Sequence, residues 1–483
     1  MGSPGGRTEI APPERSEHFR PDVEGLRAVA VLLVLLYHAG VPGFGGGYVG
    51  VDVFFVVSGF LITALLLREL DASGSISFSR FYARRVRRLL AASVLTLVAT
   101  LGAALVLLPA TRIPEVAIDV GAAAAYVSNL RFAIAANDYF QAGGAPSAVL
   151  HFWSLSVEEQ FYFFWPAVLL ILWRLSARLH VGRRGLVVGM VLLSAASLVG
   201  CVWLTGQNQA WAFYLLPTRA WELGTGALLA ISASRLQLRG RRTAAIFGLV
   251  GLAAIMLAAL AFSDQTSFPG FAAVLPVAGT ALVIVGGFHP SALPTRLLSL
   301  PPATFLGRIS YSTYLWHYPM LFFAAVAYGA PLPLSLSVLV ALGSIPLAAI
   351  TQRLVERPFR AGRFIGVRPR VNLGQALAST LVVVMLAGGA TLYAKSKVDA
   401  TLGDLIPPLG DLQDARPTRG FCPDDVGDMA ACVYGDPSSK ATIVLFGDSH
   451  ALHWFPAFEP MALQHDIRPV SYTHLTLPTI YSV

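Results

Sequence analysis

Apolar stretches recur along this chain near 26–40, 50–70, 89–108, 151–173, 185–204, 211–231, 243–262, 271–287, 304–328, 333–352 and 372–394. Each is about long enough to supply the roughly 20 helical residues that cross a hydrocarbon core. Backbone in lipid has to satisfy its own hydrogen bonds, so such stretches fold as helices. This one feature predicts an all-α polytopic membrane bundle of about ten spans plus one extra. The first and eighth stretches are the shortest, and the ninth carries Arg308, His317 and Pro319. The 109–150 connection has room for an interfacial helix. No internal repeat is visible, so the inverted symmetry common in transporters is not evident.

Only 13% of the residues are charged, against the roughly 25% usual in soluble domains, and 55% are hydrophobic. The net charge of +8 is almost all arginine, because Lys395, Lys397 and Lys440 are the only lysines. The arginines gather in the connections Arg80–Arg88, Arg174–Arg184, Arg235–Arg242 and Arg353–Arg370, while 41–49, 205–210, 263–270 and 329–332 have none. That alternation is the positive-inside pattern of a membrane protein rather than a nucleic-acid surface, and no nucleic-acid partner is expected. An odd number of spans puts the N-terminus inside and the tail outside. Residues 1–20 read as a polar cytoplasmic segment without signal-peptide features, so the first apolar run is retained as a helix.

Polar side chains inside spans mark the places to look for chemistry. Arg27 and His38 lie eleven residues apart, which returns to within roughly 20° of one helix face, about 16 Å along the axis. Arg27 alone reads as snorkelling; the pair reads as functional. His151 and Glu158 share a face at the start of the fourth span, where the carboxylate could orient an imidazole or simply cap or pair with an arginine. Arg84, Arg85, Arg87 and Arg88 could grip phosphates or serve only as the inside signal. The run from Arg308 through Ser310, Tyr311, Ser312, Tyr314 and His317 argues for a wet or ligand-lined cavity. Asp52 and Glu222 begin other spans, where capping is the simpler reading. Three cysteines and no Cys/His cluster at ligand spacing leave a metal site without support.

After residue 394 the composition shifts to a linker containing Cys422 and Cys432, which could form a bridge on the outer face. Thr442–Phe446 reads as a strand, followed by Gly-Asp448-Ser449-His450 at a helix start, a turn that exposes a serine hydroxyl beside backbone N–H groups. Ile467–Tyr472 reads as a second strand. An α/β domain needs on the order of 100 residues, so the tail is expected to be the first part of an external domain. The expected divisions are 1–20, 21–370 for the bundle, 371–394 for the additional helix, 395–440 for the linker and 441–483 for the incomplete domain.

With these residues in view, the chain resembles the membrane acyltransferase 3 family, in the subgroup carrying a fused C-terminal SGNH-hydrolase-like domain. The resemblance rests on Arg27-x10-His38, Gly-Val-Asp52-Val-Phe-Phe-x-x-Ser58-Gly-Phe, Phe-Tyr-x-Arg84-Arg85-x-x-Arg88, His151-x-Trp-Ser-Leu-x-x-Glu158 and Ser310-Tyr-Ser-x-Tyr-Leu-x-His317. It departs at Ala91, where many relatives have proline, and in lacking the Asn and Asp-x-x-His blocks. The resemblance implies O-acylation of an extracytoplasmic cell-surface glycan, such as lipopolysaccharide O-antigen or peptidoglycan, from cytoplasmic acyl-CoA at a bacterial inner membrane, with no permanently bound cofactor. It implies that His38 is the acyl-transferring histidine with Arg27 its motif partner, that Arg85-x-x-Arg88 binds the donor and that Ser449 is the serine of the fused domain; His151, Glu158 and Asp448 are expected beside them in catalysis. Arg84, Arg85, Arg88, Ser310, Tyr311 and His317 are expected on the donor. The competing expectation is a transporter or flippase with a His38/Glu158 proton relay.

Overall fold

The computed structural model describes residues 20–137, 146–362, 368–402, 439, 441–447, 465 and 467–473. These fall in two compact units, Met1–Leu392 and Tyr393–Val483.

The first unit is helical. In chain order the helices are α1 (Pro21–His38), α2 (Gly50–Ser73), α3 (Phe78–Leu107), α4 (Ile113–Ala124), α5 (Ser128–Asn137), α6 (Phe152–Arg178), α7 (Gly182–Gln207) and α8 (Gln209–Tyr214). They continue as α9 (Leu216–Ser232), α10 (Arg241–Ala261), α11 (Val274–Gly286), α12 (Leu293–Leu298), α13 (Pro301–Tyr328), α14 (Leu334–Thr351), α15 (Arg357–Arg360) and α16 (Pro369–Leu402). Seven helical segments among the described residues are long and apolar enough to cross a membrane. With their apolar surfaces, they make this a multi-pass membrane protein. Hydropathy windows of α2 are 72% buried and those of α7 only 17%, so α2 is a central helix and α7 a peripheral one whose Leu192, Val199 and Trp203 point outward.

Helix α1, with three charged residues at Asp22, Glu24 and Arg27, packs against α13, and α2 packs against α9. Both crossings are close because glycine sits at the contact. A Cβ on Gly307 would collide with the Glu24 carbonyl oxygen, and one on Gly226 with that of Val56. Lipid gives helices no hydrophobic reason to associate, so backbone approach through small residues supplies the packing energy.

The structure corrects two details of the sequence reading. Arg80–Arg88 is not a loop but lies in the first three turns of α3, as expected of a residue with good helix propensity once its neighbours are apolar. The 211–231 stretch is two helices, because Leu215 is extended and Pro217 sits in the first turn of α9. The 109–150 connection, where the sequence left room for one helix, contains two, α4 and α5.

In the second unit β1 (Ala441–Gly447) and β2 (Ile467–Thr473) pair in parallel, Ala441 opposite Ile467. A parallel pair needs a crossover between its strands. Cys422, Cys432, Asp448 and Ser449 lie outside the described residues.

Candidate functional site

Two cavities lie within the helical unit. The larger, about 560 Å³, is lined by Arg27, Arg84, Arg85, Arg87, Arg88 and Arg360, with Glu24, Glu158, Glu159, Tyr162, Ser310 and Tyr311. Its arginines come mainly from the first turns of α3, where helical spacing turns several guanidiniums to one side. Arg27 pairs with Glu24 at 3.0 Å. Arg84 and Arg80 share Glu69, each at 3.4 Å. Arg85 lies 3.4 Å from Glu159 and 3.5 Å above the Tyr162 ring. Arg87 and Arg88 form no ion pair among the described residues. The Ser310 hydroxyl is buried on the wall without a hydrogen-bond partner, an available donor in a protein interior where such groups are normally satisfied. Tyr311 donates to the Leu89 carbonyl at 3.1 Å. A wall with more guanidiniums than carboxylates, Arg87 and Arg88 among those without an ion pair between described residues, suits a polyanion.

The second cavity, about 270 Å³, is lined by His38, His151, Tyr37, Tyr48, Gln209 and Asp264, with the rings of Trp153, Phe213, Tyr214 and Phe268. Tyr37 donates to Asp264 at 3.2 Å. His317 lies behind His38, its Nε2 3.1 Å from His38 Nδ1, and its Nδ1 is 2.7 Å from the Tyr314 carbonyl oxygen. A carbonyl only accepts, so His317 carries its proton on Nδ1. In the neutral ring its Nε2 then accepts, and His38 donates from Nδ1. Among the described residues the Nε2 lone pair of His38 has no partner and is left for chemistry.

His151 is oriented by the same helix in a different way. Pro319 has no N–H, so the Leu315 carbonyl four residues earlier loses its helical donor. His151 Nε2 fills the vacancy at 3.1 Å. Its Nδ1 is then an acceptor, and it is buried without a partner.

The sequence-predicted residues are thus divided between the cavities. Arg27, Arg84, Arg85, Arg88, Glu158, Ser310 and Tyr311 line the first; His38 and His151 line the second. Two expectations change. His317, expected on the donor side, contacts His38 instead. Glu158 does not orient an imidazole: its carboxylate accepts from Ser58 at 2.6 Å and from Tyr162. Seven residues of helix separate His151 from Glu158, about 10 Å of axial rise, enough to deliver them to different cavities.

Asp52 and Glu222 are not caps. Arg219 reaches Asp52 and Glu222, each at 3.1 Å, and all three side chains are at most 1% exposed. The rings of Phe55, Trp153, Phe213 and Phe268 stand 5.3–5.8 Å from its guanidinium. Three of those rings also line the histidine cavity, so the ionic cluster braces its wall. The available signal was Arg219 itself, a charge inside an apolar stretch three residues before Glu222.

The Acyl_transf_3 family model, described as an acyltransferase domain, matches residues 20–353, and the SGNH domain model, described as fused to such domains, matches residues 416–482. The chain belongs to this acyltransferase family, in the subgroup with the fused SGNH domain. It is 31% identical over 365 residues to the peptidoglycan O-acetyltransferase OatA of Listeria monocytogenes, covering 72% of this chain and 57% of OatA. It is also 31% identical over 394 residues to YrhL of Bacillus subtilis, covering 79% of this chain and 62% of YrhL. The chain therefore spans less than two thirds of either relative. No solved structure matches it.

Proposed function

We propose that the protein is a transmembrane O-acyltransferase that moves an acyl group, acetyl in the simplest case, from cytoplasmic acyl-CoA to a hydroxyl of a cell-surface glycan. The observation that carries this reading is the pairing of an arginine-lined cavity with an adjoining histidine-lined one, in which His38 Nε2 is left with a free lone pair. The family membership and the name of OatA support it.

In this reading about ten spans and one extra sit in a bacterial inner membrane, N-terminus inside and tail outside. The bundle is 21–370, the extra span 371–394, the linker 395–440 and the external domain 441–483. Arg84, Arg85 and Arg88 hold the donor phosphates, with Arg27 closing the cavity and Ser310 and Tyr311 contributing hydroxyls. The thioester carbonyl carbon meets His38 Nε2. The N–C bond forms and the C–S bond breaks, and His38 passes its Nδ1 proton to His317. The departing thiolate takes a proton from the donor side. An acceptor oxygen then attacks the acyl carbon and releases the imidazole. His151 Nδ1 takes the acceptor proton and gives it up to water on the acceptor side, and His317 returns its own to His38. In the fused domain Ser449, next to Asp448, is the first acceptor and hands the group on to the sugar.

The transporter reading needs a carboxylate–imidazole relay, and Glu158 bonds to Ser58 and Tyr162 instead. Membranes carrying the full chain, given labelled acetyl-CoA, test the proposal: label is expected in the glycan, and in none of it after His38→Ala. Equal labelling with the substituted protein removes His38 from the reaction, and no consumption of acetyl-CoA by the intact protein favours transport.

A further inference from the structure

The arginine-lined and histidine-lined cavities have two wall residues in common, Val51 and Tyr314. The two cavities therefore meet at these residues. Resting on the acyl-transfer reading above, we propose that Val51 and Tyr314 form a fixed partition that sets the length of acyl chain the protein transfers, favouring acetyl.

Both sides of the partition are held. Val51 lies in the first turn of α2 and is 6% exposed; its branched Cβ leaves one strongly preferred rotamer in a helix. Tyr314 is 5% exposed. Its hydroxyl is 2.6 Å from Ser154 Oγ and donates to the His151 carbonyl at 3.1 Å. Its ring packs against Phe54, His151 and His317 at centroid distances of 6.2, 5.5 and 5.3 Å. Its backbone carbonyl also orients His317. Swinging the ring aside would take the Tyr314 hydroxyl from both of its partners, a loss protein interiors avoid, while Ser154 and the His151 carbonyl would keep their own bond at 3.2 Å.

The volumes on either side fit this assignment. The arginine cavity, about 560 Å³, falls within the usual range for a small-molecule site, whereas the histidine cavity, about 270 Å³, falls just below it. The bulky part of a thioester donor therefore stays on the arginine side, and only a short chain crosses.

The test uses the full chain in membrane vesicles with acetyl-, butyryl- and octanoyl-CoA, scoring transfer at equal donor concentration. The intact protein should prefer acetyl. Val51→Ala widens the gap and Tyr314→Phe releases the hydroxyl anchor. Each should raise the butyryl-to-acetyl ratio about tenfold or more, since the two acyl groups differ by two methylenes and a pocket discriminates each by at least about that factor. Val51→Phe should lower acetyl kcat about tenfold with a smaller change in donor KM, because the arginines that hold the donor are untouched. Val51→Ala acts independently of Tyr314, so a folding defect in one variant does not remove the test. If the intact protein transfers acetyl and both widening variants keep its chain preference, the partition is wrong. If the intact protein consumes no acyl-CoA, the acyl-transfer reading falls and this proposal with it.

Discussion

The two cavities solve opposite problems with different materials. The arginine cavity is lined by long charged side chains, some paired with carboxylates at 3.0–3.7 Å and others with none among the described residues. The histidine cavity is fixed by main chain: the Tyr314 and Leu315 carbonyls set the protons of His317 and His151. Adjustable guanidiniums tolerate a large ligand that binds and leaves. Chemistry on a single lone pair needs a fixed proton inventory, which backbone carbonyls provide because they cannot donate or titrate.

Substitutions that trade one kind of residue against the other probe this contrast. The largest effect is expected from His38→Ala, which should reduce acyl transfer about 10⁴-fold or more, the upper range for loss of an acid–base or nucleophilic group, measured as label incorporated from acetyl-CoA. Next comes Arg219→Leu, which leaves Asp52 and Glu222 buried without their cation. Breaking such a group typically costs about 3–5 kcal/mol, seen as a lowered thermal midpoint in detergent. A midpoint equal to that of the parent would mean the wall of the histidine cavity does not depend on the ionic cluster.

His317→Leu should lower kcat about 100-fold with little change in donor KM, since the His38 proton loses its acceptor. Partial recovery with His317→Gln, which retains an acceptor, separates positioning from bulk. The smallest effect is expected from Arg88→Ala. Loss of one charge-assisted contact should raise donor KM about tenfold with kcat nearly unchanged, and Arg88→Lys should recover part of it. A kcat effect without a KM effect would break the distinction between the cavities.

Much of the helical framework was legible in the sequence, because apolar length is a local property. The ends were less so. The arginines at 80–88 mark a membrane boundary by charge, and nothing in their charge says that the helix continues through them. The site was legible as a set of residues and not as a set of partners. His38 and His317 are 279 positions apart and Asp52 and Arg219 167 apart, so no local spacing reveals either pair. His151 and Glu158 share a helix face, yet the contacts that decide their roles come from α2, α6 and α13. Pro319 is plain in the ninth apolar stretch, while its chemical effect, a vacant carbonyl at Leu315, becomes visible only where His151 fills it.

Arg84, Arg85, Arg87 and Arg88 stand in the second and third turns of α3, beyond the single turn over which the helix dipole acts, so what a bound anion relieves is their repulsion for one another. A multiply charged anion relieves more of it than a singly charged one. Selection for polyanions, and a sensitivity of docking to ionic strength, therefore follow from four guanidiniums carried on one short length of helix.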